Sequence, residues 1–98
     1  MYITNIRHLV SASKRMHGEM PEEARKLAAF LPKVISETTR ILPFTLTPID
    51  VKCFKNGCEG SIKSAIRPDN DEIHWFCPVC ENEGLINSWQ RTRWDKRG

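Results

Sequence analysis

The sequence predicts an α+β protein: an N-terminal helical hairpin followed by a three-stranded antiparallel ribbon pinned by four cysteines. Two observations lead there. Apolar residues recur every three or four positions as far as Leu42 and then give way to short alternating runs. The cysteines fall in two close pairs, Cys53/Cys58 and Cys77/Cys80, with eighteen residues between them. The implied division is a helical segment over residues 1–43, a linker over 44–50, and a ribbon with a polar C-terminal tail over 51–98.

Taken in order, Thr4 and Asn5 are cap-type residues, and Ile3, Ile6, Leu9 and Val10 follow at helical spacing. A short first helix is expected to end near Met16 to Gly18, where glycine lets the chain turn. The second helix starts at Pro21, which suits a first helical position because its missing N–H costs nothing there. Glu22 and Glu23 complement the positive end of the helix dipole. Ala24, Leu27, Ala28, Leu31, Val34, Ile35, Thr38, Ile41 and Leu42 make one stripe, with charged residues opposite. Pro32 interrupts this run, and because the stripe keeps phase across it, a kink is expected in place of two helices.

Pro43 and Pro48 bracket a short extended connector. Two strands follow, Ser61 to Arg67 and Glu72 to Phe76, joined through Pro68-Asp69-Asn70-Asp71, a strong turn signal. Leu85 to Trp89, after Gly84, reads as the third strand, and the last residues read as a polar, frayed end.

A chain of 98 residues hides a small fraction of its surface and needs a staple. No apolar run approaches the roughly 20 residues that cross a bilayer, and the N-terminal stretch lacks the pattern of an export signal. The expected compartment is therefore the cytoplasm, where thiols hold metals more readily than they pair as disulfides. The formal charge of +3 falls to about +1 once four thiolates and a divalent ion are counted. Overall charge thus gives no argument for nucleic acid.

Two short cysteine pairs on adjacent turns bring four soft thiolates into a tetrahedron about 2.3 Å from one ion. The constellation Cys53, Cys58, Cys77 and Cys80 therefore predicts one structural Zn2+, making the C-terminal unit a zinc ribbon. Gly57 and Gly60 free the first turn and Pro78 stiffens the second, although four residues inside the first pair, in place of two, loosen that knuckle. Disulfides, a dithiol redox site at Cys77-Pro78-Val79-Cys80 and rubredoxin-like iron are the weaker alternatives. Four thiolates close the coordination shell, so the metal has no position for substrate. No catalytic residues, membrane contact or small-molecule substrate are expected.

His74 reads as an exposed hairpin position, and His8 and His17 have no partner in sequence. Trp89, Arg91, Arg93 and Trp94 interleave aromatics with cations, a mixture suited to stacking on bases and pairing with phosphates. The competing reading packs Trp89, and equally Trp94, over the ribbon to complete a small core. The helical stripe has two readings as well, burial within the chain or self-association through helix 21–42.

The run PEEARKLAAFLPKVI, the cysteines within IHWFCPVC and the ending EGLINSWQRTRWD resemble a family of small bacterial zinc-ribbon proteins. That family pairs a PxxAxxLAxFL helix with a WxxTxWD tail. The resemblance rests on Pro21, Ala24, Leu27, Ala28, Phe30 and Leu31 in the helix and on Gly84, Ile86, Trp89, Thr92, Trp94 and Asp95 in the tail. Asn87 stands where a serine is usual and Arg91 where a glycine is common, which puts a tight turn at Arg91 in question. The resemblance implies a bacterial cytosolic protein and supplies no mechanism. The sequence thus leads to a non-enzymatic binding module that engages a protein partner or a second copy through its helical segment. The alternative is nucleic-acid binding through the ribbon and the Arg/Trp tail.

Overall fold

The first regular element is a strand where the sequence reads as helix. In a computed structural model describing residues 2–15, 21–55 and 57–97, Tyr2–Asn5 forms β1 and lies parallel to β5 (Glu83–Asn87), with Tyr2 beside Gly84. Asn5 explains where the strand must stop. Its side-chain oxygen accepts from the N–H groups of Arg7 at 3.0 Å and His8 at 3.2 Å, capping α1 (Ile6–Arg15). The cap places Ile3 outside the helix, on β1, where it is 69% exposed. The expected helix end at Met16 to Gly18, and His17, lie outside the described residues.

Helix α2 (Glu22–Ile41) starts one residue later than expected, with Pro21 as the cap residue whose carbonyl accepts from Arg25 N–H at 3.1 Å. Pro32 lies inside α2 and does not divide it. Leu42 ends the helix in the left-handed conformation (φ 56°), its N–H donating to the Thr38 carbonyl at 2.8 Å.

The remaining strands are β2 (Thr47–Lys52), β3 (Ser61–Ile66) and β4 (Ile73–Phe76), and the sheet has five strands in the order β1-β5-β4-β3-β2. All neighbours are antiparallel except β1 and β5. The expected helical hairpin followed by a three-stranded antiparallel ribbon is therefore corrected to a five-stranded mixed sheet with one long helix and one short one. The hairpin of β3 and β4 and the strand after Gly84 are present, but the sheet is extended on both sides. Residues 47–50, read as connector, begin β2, which alternates buried Ile49 and Val51 with exposed Pro48, Asp50 and Lys52.

The middle of the helical stripe is covered by this sheet. Phe30, Leu31, Val34 and Ile35 of α2 pack with Ile49, Val51, Ile62, Ile73, Trp75 and Ile86, each large side chain contributing about 1.5–3 kcal/mol on burial. Thr38 and Ser64, both fully buried, share a hydrogen bond of 2.6 Å that ties α2 to β3. The C-terminal tail is folded onto the body, contrary to the frayed end expected. Thr39 Oγ1 donates to the Ile35 carbonyl at 2.7 Å and accepts from Lys96 N–H at 2.8 Å. Among the described residues no helix is long and apolar enough to cross a membrane.

Candidate metal centre

The four cysteines meet at one end of the sheet, on the turn between β2 and β3 and the turn between β4 and β5. Cys53 N–H donates to the Gly60 carbonyl at 2.9 Å and Cys58 N–H to the Lys55 carbonyl at 3.0 Å, which closes the first turn. Gly57 adopts φ +83°, a conformation that other residues rarely take, and so absorbs the extra residues between this pair. The second turn is closed by Cys77 N–H on the Asn82 carbonyl and Glu81 N–H on the Cys77 carbonyl, both at 2.8 Å. Glu81 follows the last cysteine with φ 63°, in the left-handed region.

All four sulfurs lie within 4.8 Å of one another. The Cys53–Cys80 and Cys58–Cys77 sulfur pairs are each 3.6 Å apart. Four sulfurs at about 2.3 Å from a central ion sit roughly 3.8 Å apart in a tetrahedron, so the observed spacings fit one metal ion. The set is half sheltered: Cys53 and Cys77 are buried, Cys58 and Cys80 partly exposed.

Backbone amides and burial pull the thiols in opposite directions. The Asn82 N–H holds Cys80 at about 7, below the ordinary thiol value. Burial pushes Cys53 up to about 12 against the opposing pull of the Lys55 N–H. At Cys58 the Gly60 N–H lowers the thiol, but burial and the Cys77 and Cys80 sulfurs together carry it above its usual value. A bound cation reverses the burial penalty because it neutralises the charge that burial disfavours.

Phe54 stands directly after the first cysteine and has no part in the sequence-based expectations. Its ring centroid is 5.4 Å from Tyr2, 5.1 Å from Phe30 and 5.9 Å from Trp75. The first turn is thereby joined to β1, α2 and β4. A lone aromatic in an otherwise polar loop (Phe54-Lys55-Asn56-Gly57) was the available signal.

The tail residues are not gathered into one exposed face. Trp89 is fully buried, and its indole N–H donates to the Asp71 carbonyl at 2.7 Å. Trp94 is half-buried against the core. Arg97 lies over the Trp89 ring at 4.5 Å and Arg93 over Trp94 at 5.4 Å, while Arg91 is exposed. Arg91 has φ 63°, so the turn at that position keeps the conformation glycine prefers. His74 is half-buried, not exposed, with Nε2 3.0 Å from Glu83 across the strand pair.

Comparison with protein-family models, curated proteins and solved structures finds no match.

Proposed function

We propose that this protein is a non-enzymatic binding module for protein partners, with one structural Zn2+ held by Cys53, Cys58, Cys77 and Cys80. Zinc suits four thiolates arranged tetrahedrally, and that set leaves the ion no open position for water or substrate. The observation that carries the binding reading is a run of uncovered apolar side chains where α2 ends. Ile41 is 42%, Leu42 44%, Phe44 76% and Leu46 39% exposed within six residues. Leu31, Val34, Ile35 and Thr38 of the stripe are spent on the sheet, so the partner surface contracts from helix 21–42 to its C-terminal end and the turn beyond.

Nucleic-acid binding through the ribbon and tail is the weaker reading. Trp89 is unavailable for stacking, and arginine already covers its face and that of Trp94.

Metal analysis of purified protein should return about one zinc per chain. Affinity capture followed by mass spectrometry should recover defined protein partners with the native chain and lose them with Phe44→Asp. A captured set that is the same for both chains, together with an unchanged solution mass, would sink the proposed surface.

A further inference from the structure

Strand β2 is the far edge of the sheet, so among the described residues one side of its backbone has no strand partner. Helix α2 runs alongside it, and a groove of about 410 Å³ lies between them. Lys26 and Lys33 form the helix wall, Asp50 and Lys52 the strand wall, and Val51 and Phe54 part of the floor. Lys26 and Lys33 are two helical turns apart, about 10 Å along the axis, and so project to the same side. Lys26 pairs with Glu22 at 3.4 Å, a surface contact of little strength. Among the described residues neither Lys33, Lys52 nor Asp50 forms an ion pair. Asp50 and Lys52 alternate with Val51, which packs under α2, and Lys52 Nζ donates to the Glu59 carbonyl at 3.4 Å. Lys26 and Lys33 are therefore the ammonium groups on the helix side of the groove, over an apolar floor and beside the strand edge.

We infer that this groove docks an extended acidic peptide of a protein partner, added as a strand beside β2 with its carboxylates on Lys26 and Lys33. The inference rests on the protein-binding reading above and names the partner's chemistry. In an added strand every second side chain faces the same way, about 6.7 Å apart, so alternating acidic and apolar residues can set one kind against the lysines. Pro48 has no N–H to offer, which leaves Ile49 to Lys52 as the usable edge. A peptide satisfies that edge with its own backbone; a nucleotide chain cannot, and the apolar floor offers its phosphates nothing.

The test uses the full metal-loaded chain and fluorescence anisotropy with three labelled probes: an alternating Glu/Val octapeptide, its Lys/Val counterpart and a thymidine 20-mer. The Glu/Val peptide should bind and the Lys/Val peptide should not. Lys26→Glu and Lys33→Glu should each weaken binding about five- to tenfold, whereas Arg67→Glu, outside the groove, should leave it unchanged. Metal content and circular dichroism of each variant establish that it is folded. Absence of peptide binding, or binding indifferent to the two reversals, overturns the groove while leaving the Phe44-dependent surface standing. If the thymidine oligomer alone binds and is lost with the same lysines, both this inference and the protein-binding reading fail.

Discussion

Replacing Phe54 by alanine should weaken metal binding although Phe54 is not a ligand. The ring is fixed between Cys53 and Cys58 and packs against Tyr2, Phe30 and Trp75 at centroid distances of 5.4, 5.1 and 5.9 Å. A fully buried phenylalanine costs about 3–5 kcal/mol on truncation to alanine, and a half-buried one about half of that, or roughly 1.5–2.5 kcal/mol. If the first turn closes only on the metal, this packing is gained with the metal. Linkage then requires its loss to appear in the metal affinity. The expected drop is on the order of 10- to 60-fold, since each 1.4 kcal/mol is tenfold. Competition with a chromophoric chelator measures the affinity, and urea unfolding of the metal-free and metal-loaded forms measures stability. Should Phe54→Ala lower both stabilities equally and leave the affinity untouched, the turn is preformed and the coupling argument is wrong.

Thr38→Val should destabilise by about 1–3 kcal/mol by leaving the buried Ser64 hydroxyl without its partner, whereas Thr38→Val with Ser64→Ala should cost less than the sum of the two single changes. Urea denaturation of the four proteins of that cycle reads the coupling directly, and additive effects would refute the contact. Arg91→Gly should raise the melting temperature, because glycine relieves roughly 1 kcal/mol of left-handed strain at φ 63°. Asp95 carries an acid-sensitive contribution. Burial raises its carboxyl, but Arg97, aided by the N–H groups of Arg91 and Arg97, outweighs burial and holds it below the usual carboxylate range. A depressed folded value means stability that is fully present above the unfolded value near pH 4 and is lost as pH falls through the folded one. Asp95→Asn should therefore flatten the stability profile in that acid range and leave its shape near neutrality unchanged.

The cysteine constellation was legible because ligand chemistry is written in residue type and spacing. Cys53-x4-Cys58 and Cys77-x2-Cys80 require only short turns, and the hairpin between them follows from Pro68-Asp69-Asn70-Asp71. The helix stripe was legible as well, but its destination was not. A run such as Leu31, Val34 and Ile35 buries equally well against a sheet or a second copy, and periodicity cannot distinguish them. The choice depended on how much sheet was available. That turned on β2, which falls partly in the expected connector and tolerates Pro48 because it is an edge.

Strand β1 was the least legible element, and Gly84 shows where its signal lay. Four residues are too few to display an alternation, and Ile3 falls in phase with the helix that follows. Pairing with β5 joins positions some eighty residues apart, so nothing local encodes it. A Cβ on Gly84, however, would stand 2.5 Å from the Tyr2 carbonyl oxygen and 2.7 Å from the Trp75 indole nitrogen. Only glycine lets another backbone approach that closely, and a glycine inside a strand is the trace such an approach leaves in sequence. The same contact brings Tyr2 to Phe54 and its hydroxyl to Glu23 at 2.6 Å. The chain's first strand is thus held by the metal turn, by α2 and by a missing side chain on β5. A metal that closed the turn around Phe54 would therefore also secure the N-terminal edge of the sheet, well beyond the four cysteines themselves.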